Sequence, residues 1–183
     1  MRIVAGIYGG RKLSVPKGRD IRPTSDKIRG ALMNMLEARG AIMDAHVLDA
    51  FCGSGALGLE ALSRGAAASV FMDSSPASLA LARDNASALG VVATFWQKDA
   101  LRLGAKAPTA PPFTLVFLDP PYGKNMARDM LGVLQRGGWL APGAWVVCEE
   151  EKKAPTLDAV ADFSLESEKT YGETKIHLLK FCP

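Results

Sequence analysis

At 183 residues, 48% hydrophobic and 22% charged, the chain has the size and apolar content of one ordinary globular domain, which argues against disorder. Its longest run without Asp, Glu, Lys or Arg is 13 residues (85–97), short of the roughly 20 a membrane helix needs, and Arg2 and Arg11 interrupt any secretory-signal core. The net charge of +3 is uneven: residues 1–30 carry eight Lys/Arg against Asp20 and Asp26, while the remainder is mildly acidic, a pattern that fits a polyanionic partner.

In chain order, residues 2–7 and 12–15 read as short strands about a Gly9-Gly10 turn, ended by Pro16 and Gly18. A helix follows, with Ile28, Leu32, Met35 and Leu36 on one face, Thr24 or Ser25 as N-cap and Gly40 as its stop. From His46 onward, apolar runs alternate with helical segments. The runs are 46–49, 69–73, 91–97, 113–119 and 144–149; the helices are 56–64, 75–89 and 125–136, each stopped by glycine. Ser75 and Pro76 form an N-cap and first-turn pair. Three prolines in 104–112 make that connection a loop, and 163–171 with 174–181 close the chain as an antiparallel hairpin about Gly172-Glu173. Such alternation predicts an α/β fold, a mostly parallel open sheet with helices on both faces, whose ligands bind outside the carboxyl ends of the strands. The first four of these strands end at or beside Asp49, Asp73, Asp99 and Asp119.

Two motifs carry chemistry. Gly53, Gly55 and Gly58 match the GxGxxG spacing, with Asp73 placed 20 residues after Gly53. In a dinucleotide site the first glycine follows the strand at once; here Asp49 ends the strand and Ala50-Phe51-Cys52 intervene. A carboxylate at that point repels a pyrophosphate but suits an ammonium. A ligand with an amino group for Asp49, a carboxylate for the helix N-terminus and a ribose diol for Asp73 matches S-adenosylmethionine, with Asp99 placed for the adenine amine. The second motif is Asp119-Pro120-Pro121-Tyr122. Asp119 and the Pro120 carbonyl supply two acceptors and Tyr122 a flat ring, a set that grips a planar group bearing an exocyclic amine. Hydrogen bonds from that amine strengthen as it attacks a sulfonium methyl in line.

With these motifs the chain resembles the class I S-adenosylmethionine-dependent methyltransferases. More narrowly it resembles the RsmD family of bacterial small-subunit rRNA guanine-N2 methyltransferases. The resemblance rests on Arg2-Ile3-Val4-Ala5-Gly6, Gly10-Arg11-Lys12-Leu13, Arg22-Pro23-Thr24-Ser25-Asp26, residues 49–62, Asp119–Tyr122 and Tyr171-Gly172-Glu173-Thr174. It implies a Rossmann-like sheet of seven strands, with residues 1–40 a basic hairpin-plus-helix extension that contacts RNA and 41–183 the catalytic domain. It implies that Arg22, Pro23, Thr24, Asp49, Gly53, Ser54, Gly55, Asp73, Asp99 and Ala100 hold the cofactor. Asp119, Pro120 and Tyr122 would then hold a flipped guanine of 16S rRNA, free or within a 30S particle. Arg2, Arg11, Lys12, Lys27 and Arg29 would contact RNA, with a monomer expected. Two positions depart from the family pattern: Met33, where an aromatic is usual, and Gly9, where a basic residue is common.

Other residues read as structural. Trp96, Trp139 and Trp145 are expected in packing, Cys52 as a small buried thiol, and His46 and His177 as structural residues with no visible partner. Residues 149–153, three glutamates then two lysines, read as a solvated strand exit. Three scattered cysteines without a CxxC, and two histidines, argue against a zinc site or disulfide framework and fit a reducing cytoplasm. The competing readings are a DNA or RNA adenine-N6 methyltransferase, which shares Asp-Pro-Pro-Tyr but would need a target-recognition segment, an NAD-dependent oxidoreductase, and a non-catalytic RNA-binding module.

Overall fold

The apolar runs assemble into a single seven-stranded sheet, of order β3-β2-β1-β4-β5-β7-β6. The computed structural model describes residues 1–16, 25–121, 126–158 and 160–183. Helix α1 (Ser25–Glu37) precedes β1 (His46–Ala50), α2 (Ala56–Ser63), β2 (Ala68–Asp73), α3 (Pro76–Leu89) and β3 (Thr94–Gln97). Then come β4 (Phe113–Leu118), α4 (Met126–Arg136), β5 (Leu140–Glu151), β6 (Phe163–Tyr171) and β7 (Thr174–Phe181). Strands β1 to β5 pair in parallel, while β7 inserts antiparallel between β5 and β6.

The central strands read as continuous apolar runs because both faces are covered. On one face Leu48, Ala50, Val116, Leu118, Val146 and Cys148 pack against Ala127, Met130, Leu131 and Leu134 of α4. On the other, Val47, Leu115, Phe117 and Val147 meet Leu32, Met33 and Leu36 of α1. A third cluster joins Ile3 and Leu13 of the N-terminal arm to Leu59, Phe71, Leu79 and Ala86, so the arm lies on α2 and α3. Among the described residues, no helix is long and apolar enough to cross a membrane.

The predicted N-terminal hairpin is reduced to one antiparallel bridge, Arg2 to Lys12. The reason is competition for backbone donors: Glu60 accepts from Val4 N–H (2.7 Å) and Ala5 N–H (3.0 Å), and Ser63 Oγ accepts from Tyr8 N–H (3.0 Å). Those groups therefore cannot extend a ladder. Strand β3 starts at Thr94 rather than 91, because Val91 N–H still closes the end of α3 on the Ala86 carbonyl (2.9 Å) past Gly90. Strand β5 begins earlier, at Leu140, and slips register through Pro142-Gly143 before Trp145 pairs with Leu115. The Ser75 cap is as expected, its Oγ accepting from Ser78 N–H at 3.3 Å, with Pro76 in the first turn.

Trp96, Phe113 and Trp139 form one aromatic cluster with centroids 5.7 to 6.2 Å apart, in line with a packing role. Cys52 is buried, and burial pushes its thiol well above the ordinary range, which fits an inert side chain. His177 requires a correction. It is fully buried in β7, with Nδ1 3.4 Å from Glu150 Oε2 and Nε2 3.0 Å from Glu168 Oε2. Glu150 is correspondingly buried rather than part of a solvated exit, because alternation along β5 turns it to the same side as Cys148.

Candidate active site

The parallel strands bring their carboxyl ends to one edge, and the register fixes the neighbours there. Ala50 of β1 lies opposite Met72 of β2 and Leu118 of β4, and Asp73 lies opposite Gln97 of β3. Asp99, Asp73, Asp49 and Asp119 thus follow the strand order β3-β2-β1-β4 along that edge.

Between β1 and α2 the chain turns through three residues of positive φ: Phe51 (62°), Gly53 (53°) and Gly55 (77°). A non-glycine residue in this region costs roughly 1–2 kcal/mol and needs surrounding contacts to hold it. Those contacts are present. Asp49 Oδ2 accepts from Gly58 N–H (2.9 Å), Asp73 Oδ2 from Gly53 N–H (3.1 Å), and the Ser54 carbonyl accepts from Asn85 Nδ2 (2.9 Å). Gly58 serves close approach: a Cβ there would stand 2.5 Å from Phe71 Cε1, so only glycine lets α2 lie on β2. Gly53 is different, since a Cβ on it would meet nothing within 4 Å, and the loop is open on that side.

Asp49 is 2% exposed, and burial pushes its carboxyl up to about 7, with the Gly58 N–H pulling the other way and Asp73 adding repulsion. Asp73 is half-buried and its Oδ1 also accepts from Ser75 N–H (2.8 Å). Asp99 is exposed and caps a short 3-10 turn, Ala100–Arg102, through Leu101 N–H (3.0 Å), with Ala100 buried beneath it. Asp119 is exposed just past β4 and Pro120 is buried. Arg22, Pro23, Thr24 and Tyr122 lie outside the described residues.

This donor set fits S-adenosylmethionine. Carboxylates at the ends of three adjacent strands match an ammonium and several O–H and N–H donors, and disfavour a pyrophosphate. The antiparallel strand inserted between β5 and β6 also departs from the dinucleotide-binding order, which removes the oxidoreductase alternative. Among the described residues, no group of His, Cys, Asp and Glu could hold a metal.

Arg2, Arg11, Lys12 and Lys27 are exposed, as an RNA contact needs, although the Arg11 guanidinium also donates to the Ala88 carbonyl (3.0 Å). Arg29 needs correction. It is 4% exposed and bonds Asp26 (2.9 Å), Glu60 (3.5 Å) and the Arg2 carbonyl, so it anchors the arm and cannot reach a phosphate. The centre of that anchor, Glu60, was missed from sequence. It is fully buried and also pairs with Arg64 (3.0 Å). Its signal was a lone acid in the otherwise uncharged helix ALGLEALS.

Comparison with known proteins completes the assignment. A family profile described as Conserved hypothetical protein 95 matches residues 1–180. Ribosomal RNA small subunit methyltransferase D of Escherichia coli strain K12 is 37% identical over 179 residues, 97% of this chain and 88% of that one. The chain belongs to the RsmD family. A Haemophilus influenzae RsmD protein is 34% identical over 175 residues, covering 94% and 89% of the two chains. The solved structure of the Escherichia coli protein yhhF matches with a TM-score of 0.85 and 35% identity, over 100% of this chain and 98% of that one. As an RsmD-family chain with this sheet, the protein is an S-adenosylmethionine-dependent methyltransferase of the class I fold.

Proposed function

We propose that the protein methylates the exocyclic N2 amine of one guanine in small-subunit rRNA, acting in the cytoplasm as a monomer on a 30S particle or its assembling precursor. The observation that carries this reading is the adjacency of the two motifs: Ala50 and Leu118 are paired residues, so the glycine loop after β1 and Asp119-Pro120 after β4 leave neighbouring strands side by side. The cofactor, when bound, supplies an electrophilic methyl on a sulfonium.

The residues then divide the labour. Asp49 takes the amino group, Asp73 the ribose diol and Asp99 the adenine amine, while Gly53, Ser54 and Gly55 give backbone access along the open face of the loop. Ala100 lines the adenine side, and Arg22, Pro23 and Thr24 are assigned to the cofactor by the family resemblance. Asp119 and the Pro120 carbonyl accept the two N–H bonds of the target amine, and Tyr122 stacks on the base once it has left its own stack. These bonds restore lone-pair density to a nitrogen otherwise delocalised into the ring, and they strengthen as positive charge develops there. Transfer is thereby a matter of position more than of acid–base catalysis. Arg2, Arg11, Lys12 and Lys27 grip phosphates and hold the arm of the protein against the RNA.

The test is methyl transfer from radiolabelled S-adenosylmethionine to small subunits lacking the modification, to naked rRNA and to duplex DNA. Label confined to rRNA and mapped to guanine N2 is expected; label in DNA would refute the substrate. Asp119→Ala should abolish transfer and leave cofactor affinity within a few-fold, because its contacts form with the amine. Equal loss of both would remove Asp119 from that role.

A further inference from the structure

Besides the bonds of Arg29 to the Arg2 carbonyl and of Arg11 to the Ala88 carbonyl, the N-terminal arm is tied to the body at two places. Residues 4–8 are held by Glu60 and Ser63, in the second half of α2. Ser14 is held by Asn85 of α3, which is 3% exposed. Asn85 Oδ1 accepts from Ser14 N–H (2.8 Å), and its Nδ2 donates to the Ser14 carbonyl (3.0 Å). One amide side chain thus occupies both backbone groups of one arm residue, as a paired strand would.

The second proton of the same Nδ2 goes to the Ser54 carbonyl (2.9 Å), at the centre of Gly53-Ser54-Gly55. Both donors of the amide are therefore used, one on the arm and one on the loop. The other hydrogen bonds from that loop and the start of α2 to the strands beneath, Gly58 N–H to Asp49, Gly53 N–H to Asp73 and Cys52 N–H to the Met72 carbonyl, do not touch the arm. Asn85 bonds both directly. Ser14 also stands shortly before Arg22-Pro23-Thr24 in the chain.

We propose that Asn85 is a positioning residue that couples the basic arm to the glycine loop, so that RNA and cofactor bind cooperatively. This inference rests on the function proposed above. RNA gripping the arm restrains Ser14, and the shared amide then restrains Ser54 in the geometry the cofactor requires. A bound cofactor fixes Ser54 and, through the same amide, the arm. Linkage requires the two effects to be equal, and couplings of this kind are about five- to a hundredfold in affinity.

The experiment is a calorimetric titration of S-adenosylhomocysteine, with and without saturating small subunits that lack the modification. Wild type, Asn85→Ala and Ser14→Pro are compared. Ser14→Pro deletes the N–H that Asn85 accepts and leaves the bonds of its Nδ2 to the carbonyls of residue 14 and Ser54 in place, so it removes one of the two arm-side bonds and weakens the link even if Asn85→Ala does not fold. The wild type is expected to bind at least about fivefold tighter with subunits present. Folded Asn85→Ala should bind more weakly alone and show a ratio near one. Ser14→Pro should match the wild type alone and show a ratio between one and that of the wild type. A merely structural Asn85 would lower stability yet preserve the ratio, and that result, or a wild-type ratio of one, overturns the proposal. Failure of the wild type to label rRNA would instead overturn the functional reading, which the methyl-transfer assay reads separately.

Discussion

Asp49→Asn should make the cofactor-free protein more stable at neutral and alkaline pH, although it removes a residue assigned to the cofactor. Asp49 is 2% exposed, and burial raises its carboxyl from an ordinary 3.8 to about 7. Between those values the native state holds more protons than the unfolded chain. Each pH unit of increase across the window therefore lowers stability by up to about 1.4 kcal/mol, to a ceiling of about 4 kcal/mol above pH 7. Asparagine keeps the acceptor for Gly58 N–H but introduces an N–H₂ group that needs partners, at a cost of about 1–3 kcal/mol if they are lacking. A net gain of about 1–3 kcal/mol at pH 8 is expected, or roughly 2–12 °C in Tm for a chain of this length. Urea unfolding of both proteins at pH 8, 6.5 and 5 reads it, and the advantage of the variant should shrink steadily toward acid. In the wild type, an ammonium beside Asp49 demands the ionised carboxylate, so cofactor affinity should fall below pH 7 by up to tenfold per unit. Titrations in buffers of different ionisation enthalpy should show the corresponding proton release. A variant less stable than wild type at pH 8, or an advantage independent of pH, would refute the reasoning.

The buried and the exposed cations of the N-terminal region should separate cleanly. Arg29→Met strips Glu60 of a buried partner and should cost about 3–5 kcal/mol in urea unfolding, while joint Arg11→Ser and Lys12→Ser should leave stability within about 1 kcal/mol. The latter pair should lower the slope of log affinity for rRNA against log salt by about one for each phosphate that is no longer neutralised. Gly58→Ala forces a methyl to 2.5 Å from Phe71 Cε1 and should cost about 1–3 kcal/mol in thermal melts. Gly53→Ala, with open space around it but φ at 53°, should cost about 1–2 kcal/mol and weaken cofactor binding at least about tenfold by calorimetry, since its methyl enters the face assigned to the ligand. Burial holds His177 below the ordinary histidine range, so the native state binds fewer protons than the unfolded chain below about pH 6.5 and loses stability as the pH falls. Glu150, raised by burial, takes up a proton earlier in the native state and offsets part of that loss. His177→Gln should therefore flatten the fall in unfolding free energy between pH 6.5 and 5.

Features that depend on neighbours along the chain were legible in the sequence. Apolar runs alternating with helical faces define the parallel sheet, because period and length are local properties. Ser75 and Pro76 mark the start of α3 for the same reason, and Gly172-Glu173 the turn of the last hairpin. Four aspartates at four strand ends identify an edge once the strands are known to be parallel, and register then sets their order. The ends of elements were less legible: the Pro142-Gly143 slip in β5 depends on a pairing partner far away in sequence, and β3 starts late because Val91 N–H closes the end of α3.

Which charges are buried was settled only by the packing of distant elements. In sequence Arg29 is one more cation in a basic stretch, and it is removed from the RNA surface by Glu60, 31 residues away. Glu60, Asn85 and His177 draw their roles from partners on other elements: Val4 and Ala5 for the first, Ser14 and Ser54 for the second, Glu150 and Glu168 for the third. A buried polar group must find a partner, and which one it finds is a property of the packed chain rather than of its local pattern.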